Sequence, residues 1–325
     1  MVEIHCDGKT RRAGTAPRAK TSALNLPPEI QVLERGWLSS NNILIRDGGA
    51  WSLIDSGYVA HAAQTLQLLQ HALVGEPLVR VINTHCHSDH MGGNAALQRA
   101  YGCRTSIPLG EAPAIAAWDD ATLMLSYTGQ SAERFRYDDT ISAGDRLQLG
   151  GLEWEALAAP GHDMHALMFY SAAARILISG DALWENGFGL IFPELLGQPG
   201  GYAGTRATLE AISRLDIATV IPGHGAPFGD VERSLATAFV RLDAYERNPA
   251  KLARHALKVM LSFSLMIQRR MALAELPQFL AARPIYGHIN QRFLHLPETE
   301  LREYLVRDLE RAGALKLVDG WLVAA

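Results

Sequence analysis

The run THCHSDH, residues 84–90, constrains this chain more than any other feature. It follows LVRVIN, a β-rich stretch from Leu78 that reads as a buried strand. His85, His87, Asp89 and His90 thus fall within six positions directly after a strand. Imidazole and carboxylate together suit Zn²⁺, Fe or Mn²⁺. In an extended loop the i, i+2 spacing turns His85 and His87 one way and Cys86 the other, while Asp89 and His90 can turn toward a second ion. Surface His-rich tracts seldom follow an apolar strand, so a bland origin explains the run poorly.

Three further candidate ligands close later strands, each preceded by Gly: His162 in APGHD, Asp181 in ISGDA and His224 in IPGHG. Gly permits the tight backbone that brings a short ligand to a shared centre, and strand-end loops are where folds commonly place their sites. Taken singly, each is an ordinary Gly-containing turn. Together with residues 84–90 they give five His and two Asp, enough for three ligands per ion, one carboxylate between the ions, and positions open for water.

The rest of the chain says where such a site sits. IQVLERG, NNILIRDG and AWSLIDSG read as consecutive antiparallel strands, and His61–Leu73 as a helix. GGNAALQRAYG and TRATLEAISRLD read as helices, whereas RLQLGGLEWEALA, ALMFYSAAARILIS and ATVIPG form a second batch of strands. Strands in two batches with helices between them favour two mixed sheets packed together, helices outside. Residues 27–232 therefore read as the unit that carries the candidate ligands, expected to be the catalytic domain, and residues 1–26, without apolar periodicity, read as a flexible arm. Residues 233–325 turn helical through SLATAFVRLDAYERN and HALKVMLSFSLMIQRRMALAELPQFLA. They end in a helix closed by Gly313 and a hairpin around Asp319 and Gly320, a small winged-helix-like unit.

Composition removes some function classes. A net charge of −4 gives no global reason to expect nucleic acid or an anionic membrane. Three cysteines without CxxC spacing fit a reducing compartment, and the basic N-terminal segment lacks the apolar stretch of a signal peptide, so cytoplasm is the expected location. No run approaches the roughly 18 uncharged apolar residues of a membrane span.

THCHSDHMGG resembles the HxHxDH signature of the metallo-β-lactamase superfamily, and His162, Asp181 and His224 match its downstream His, Asp and His in order and approximate spacing. The resemblance covers residues 28–230 and implies an α+β fold, the four-layer αββα sandwich, with the site at one edge of the sheets. It further implies two divalent ions per chain, Zn first and Fe or Mn as alternatives. His85, His87 and His162 would hold one, Asp89, His90 and His224 the other, and Asp181 would bridge them. A water made acidic by both ions would then attack a small thioester, ester or lactone, with Asp89 and Asp181 as catalytic carboxylates. Among subfamilies, PGH followed by SGDALWENGFG is most similar to hydroxyacylglutathione hydrolase and its thioesterase-like relatives. Asp163 and Ala166 depart from that pattern, and the tail does not look like a glutathione-binding end.

His165 carries two readings, a catalytic donor near the ions or a His satisfied at a strand start. Trp184, Phe188 and Phe192 follow Asp181 in a Gly-containing loop that forms either an acyl-binding wall or core. The competing functions are a nuclease of the same fold and a regulatory protein acting through a partner. From Ala250 onward eleven Lys and Arg face seven Asp and Glu, which is not a basic stripe. The apolar VMLSFSLMI makes the tail a packing surface or the contact of a homodimer.

Overall fold

A computed structural model describes residues 26–325. The arm expected over residues 1–26 therefore lies, Leu26 excepted, outside the described residues. The first sheet runs in the order β1 (Ile30–Leu33), β2 (Asn42–Asp47), β3 (Ala50–Ile54), β4 (Leu78–Ile82), β5 (Arg104–Pro108) and β6 (Asp139–Ile141). β1, β2 and β3 pair antiparallel, and β3 to β6 are parallel. The crossovers carry α1 (Ala62–Leu73), the single turn α2 (Ser88–Met91), α3 (Asn94–Tyr101), α4 (Ala112–Ala117) and α5 (Leu125–Thr128). The second sheet has β7 (Arg146–Leu149), β8 (Leu152–Ala158), β9 (Leu167–Ser171), β10 (Ile176–Gly180) and β11 (Thr219–Pro222), antiparallel except for the β10–β11 pair.

The period-two alternation of each strand sorts its side chains into layers. Ile43, Ile45, Ile54 and Ile82 of the first sheet meet Trp154, Phe169, Ile176, Ile178 and Ile221 of the second in the core between the sheets. Their chain neighbours Leu44, Leu53 and Val81 point outward, onto Leu69, Leu73 and Leu97 of α1 and α3. On the far side Met168, Tyr170, Leu177 and Val220 pack on α6 (Phe192–Leu196), α7 (Gly201–Ser213), α8 (Val231–Arg247) and α9 (Pro249–Gln268). Helix, sheet, sheet and helix are thus stacked, the four-layer sandwich expected from the sequence.

The C-terminal unit shares that outer core instead of forming its own. The helical run expected through residue 281 is broken. It stops at Gln268, where Arg269 adopts φ 69°, and β12 (Arg270–Ala272) follows. α10 (Leu276–Ala281), α11 (Pro284–Ile289) and α12 (Glu298–Arg311) then lead to the hairpin β13 (Leu315–Val318) and β14 (Trp321–Ala324). β14 pairs with both β12 and β13, so the helices of this region are accompanied by a three-stranded sheet. The apolar face of α9 is covered within the chain: Leu252, Leu257, Leu261 and Leu265 enter the outer core. Phe263 reaches Leu38 and Tyr58, beside the loops that carry the candidate ligands. No helix among the described residues is long and apolar enough to cross a membrane.

Candidate metal centre

The four candidate ligand segments arrive from four strand ends. Residues 83–90 follow β4, His162 lies between β8 and β9, Asp181 directly follows β10, and His224 follows β11. Gly223 is required by close approach, because a Cβ there would lie 2.3 Å from Asp181 Oδ1. Gly180 has φ +51°, which turns the chain sharply enough to aim the next side chain inward.

All seven ligands expected from the sequence meet. Three overlapping groups, His85/His87/His162, His85/His90/Asp181 and Asp89/His90/His224, each have ligand atoms within 4.8 Å of one another. His87 Nδ1 is 2.8 Å from His162 Nε2, and His224 Nε2 is 3.1 Å from Asp89 Oδ2. Asp181 faces both sides, with Oδ2 3.4 Å from His162 Nε2 and Oδ1 3.4 Å from His90 Nε2.

The outer partners fix which nitrogen faces inward. His162 Nδ1 donates to Leu190 O at 2.6 Å, Thr84 Oγ1 is 3.0 Å from His85 Nδ1, and Asp55 Oδ2 is 2.8 Å from His90 Nδ1. His85 Nε2 and His90 Nε2 are left buried without a hydrogen-bond partner. Buried polar atoms without partners are costly, and a cation held in common would satisfy them. Burial first, then the neighbouring imidazoles, hold the His85 pKa well below its ordinary value; burial and His162 bring His87 down to about 4. Both rings are therefore neutral near pH 7, the state a metal ligand needs. Burial opposes the ionisation of Asp181, yet His224, His90 and His162 hold its pKa well below the carboxylate norm. The residues fit divalent cations.

Cys86 is not part of the cluster. It packs with Met91, Ile107 and Ile115, and burial drives its thiol well above the usual pKa. His165 is exposed, its ring resting on Gly110 and its backbone N–H donating to Asp163 Oδ1 at 2.6 Å. Phe192 stands edge-on to His87, ring centres 5.2 Å apart, and tilted toward His162 at 5.5 Å. Trp184 is edge-on to His224 at 5.4 Å, and its Nε1–H donates to Asp181 Oδ1 at 3.2 Å. Phe188 points into the core against Tyr245.

Two residues here escaped the sequence reading. Asp55 accepts from Thr84 N and Thr84 Oγ1 as well as touching His90. Its signal was present, since SLIDSG places an acid at the end of an apolar strand, as ILISGD does. Trp37 stacks on His224, ring centres 5.5 Å apart and planes 9° from parallel, and nothing local in RGWLSS announces that contact.

Known proteins resemble this chain in sequence and fold. Residues 35–224 match the model of the metallo-beta-lactamase superfamily. A hydroxyacylglutathione hydrolase of Rhodospirillum rubrum is 28% identical over 167 residues, which is 50% of this chain and 55% of that one. The chain thus spans about half the length of the curated relatives it matches. In structure it resembles a metallo-beta-lactamase family protein from Thermus thermophilus, with TM-score 0.56, 19% identity, and 93% of this chain and 100% of that one covered. A second solved structure, described as a di-iron-bound form, is 25% identical with TM-score 0.52 over 64% of this chain and 98% of its own. With its family model matched across the ligand set and the sandwich that carries it, the chain belongs to the metallo-beta-lactamase superfamily.

Proposed function

We propose that the chain is a hydrolase that holds two divalent ions, zinc first among them, and cleaves a small thioester, ester or lactone. The observation that carries this is the placement of Asp181, one carboxylate facing His162 on one side and His90 on the other. Two ions held there would make water acidic enough to attack at neutral pH and would polarise the scissile carbonyl. The chain's own groups do the rest. Asp55, Thr84 and the Leu190 carbonyl hold three imidazoles in the tautomer that leaves Nε2 inward. Asp89 Oδ2 and Asp181 Oδ1, with pKa values lowered, are ionised, the state in which they would hold the ions beside the attacking water. Trp184 and Phe192 border the cluster and offer apolar surface to an acyl group, and His165 is a rim residue open to substrate.

Thioesters lead the substrate classes because the curated relatives are hydroxyacylglutathione hydrolases. A cytoplasmic setting is supported by Cys86 and Cys103, which are buried and form no disulfide among the described residues. Nucleic acid is a poor partner for the winged-helix-like unit. The helix before its hairpin, α12, carries five acidic residues against three arginines, the wrong sign for a phosphate backbone. Metal analysis and turnover of acyl-thioesters, lactones, phosphodiesters and RNA on one purified sample test the assignment. Two ions per chain with thioester or lactone turnover support it, and a single ion with full activity, or RNA cleavage alone, overturns it.

A further inference from the structure

Resting on the hydrolase assignment above, we infer that Trp37 is a specificity residue, one wall of an aromatic corner that selects an aromatic or extended apolar acyl group. Three rings make the corner. Trp37 lies parallel to His224 at 5.5 Å, and Trp184 stands across both, 5.2 Å from Trp37 and 5.4 Å from His224, at interplanar angles of 69° and 78°. Trp184 is tied to Asp181 through its indole N–H, so the corner is fixed to the carboxylate between the two ligand groups.

Trp37 does not serve the fold in the way a core tryptophan does. One face covers His224, yet the residue remains 53% exposed. Its loop is held rigid from both sides. Ser40 N donates to Asp89 O at 2.9 Å and Asn41 N to Gly223 O at 2.7 Å, so the segment is stitched to two ligand-bearing loops. Leu38, the next residue, is clamped by Tyr58 and Phe263. A large apolar ring kept half in water beside a candidate metal ligand, on a loop tied to two candidate-ligand loops, is a contact surface whose ordering cost on binding is reduced. The opposite side is also apolar. Phe192 borders His87 and His162. An acyl group between Phe192 and the corner meets aromatic rings, which favour apolar over hydroxylated chains.

The experiment compares wild type, Trp37→Ala and Trp37→Phe, all metal-loaded, on acetyl, lactoyl, octanoyl and benzoyl thioesters of one thiol. In parallel, calorimetry measures binding of octanoate, benzoate and acetate to the same proteins. Wild type should prefer octanoyl or benzoyl over acetyl and lactoyl in kcat/KM. Trp37→Ala should lower that preference roughly tenfold or more, as expected for loss of a substantial apolar contact, with metal content unchanged. Trp37→Phe should restore most of the preference. Octanoate and benzoate binding should weaken in parallel, a readout independent of turnover. If no thioester is cleaved but the apolar carboxylates still bind through Trp37, the corner stands and the thioesterase assignment falls. If thioesters are cleaved with no apolar preference, or with equal losses for every chain in Trp37→Ala, the corner is overturned and the hydrolase stands. If neither turnover nor apolar binding depends on Trp37, the inference is wrong.

Discussion

Replacing Asp55 by Asn should leave the fold intact while weakening metal binding at the Asp89/His90/His224 group. Asp55 Oδ1 accepts the Thr84 N–H at 2.9 Å, and Oδ2 lies 2.8 Å from both Thr84 Oγ1 and His90 Nδ1. With a carboxylate there, His90 keeps its proton on Nδ1, and once an ion is bound the Nε2 lone pair would be offered to it beside Asp89 and Asp181. An amide keeps its oxygen on the Thr84 N–H and turns its NH₂ toward His90 Nδ1, which must then accept. The His90 proton moves to Nε2, the atom needed by the ion, as in other cases where an Asn for an Asp imposes the wrong tautomer. Since the hydrogen bonds change direction more than number, the cost in stability is about 1 kcal/mol. Loss of an outer partner at a ligating His typically lowers metal affinity roughly 10- to 100-fold, and that is the expected effect. Asp55→Ala differs, because it leaves the Thr84 N–H and the His90 Nδ1–H buried without acceptors, at about 1–3 kcal/mol each. Chelator competition measures affinity and thermal unfolding measures stability. Wild-type affinity for both ions in Asp55→Asn would refute the tautomer argument.

Other outcomes follow from the same geometry. Asp181→Ala should lose metal content and turnover together by elemental analysis and assay, whereas His165→Ala, whose ring lies on Gly110 outside the cluster, should keep its metal. Glu111 is buried and, through burial first and Asp163 second, pushed from 4.5 to about 9. Between those values the unfolded chain releases a proton that the folded one keeps, so stability falls as pH rises; Glu111→Gln should flatten the fall in melting temperature from pH 5 to pH 8. Truncation after Asn248 should leave an aggregating chain in light-scattering measurements. It removes Leu252, Leu257, Leu261 and Leu265 from the outer core at about 1.5–3 kcal/mol each, comparable with a whole domain's margin of about 5–15 kcal/mol.

The candidate cluster was legible because each of its seven residues is announced within a few positions, by an apolar strand and then a Gly or a His-rich loop. The sandwich was legible for a similar reason: Ile43, Leu44 and Ile45 alternate between two cores, and Asp319 and Gly320, with φ of 49° and 79°, mark their own hairpin turn. What escaped depends on partners far along the chain. β12 is three residues long and exists as a strand through pairing with β14, some fifty residues later. β6 is equally short and leans on β5. Phe188 and Phe192 look alike in sequence, four residues apart, and both join the outer core, yet one meets Tyr245 and the other also meets His87. Trp37 stands over His224 because Ser40 and Asn41 are tied to Asp89 and Gly223, contacts that no local pattern encodes.

The C-terminal unit bears on the site through the same long-range logic. The expectation that its apolar helix needs a partner surface is met inside the chain, where α9 joins the outer core along one stretch and supports the site along another. Phe263 packs edge-on against Tyr58, ring centres 5.4 Å apart, and the Tyr58 backbone N–H donates to Ser39 Oγ, 3.0 Å away. Leu38 sits in the same apolar group, directly between Trp37 and Ser39 in the chain. Helix α9 thus sets the base of the loop that carries Trp37, while the seven ligands are held by strand ends and by Asp55, Thr84 and Leu190. Change in the tail would therefore reach the proposed aromatic corner through Leu38, and, because Ser40 and Asn41 tie the same loop to Asp89 and Gly223, it would be felt at the candidate ligand loops as well.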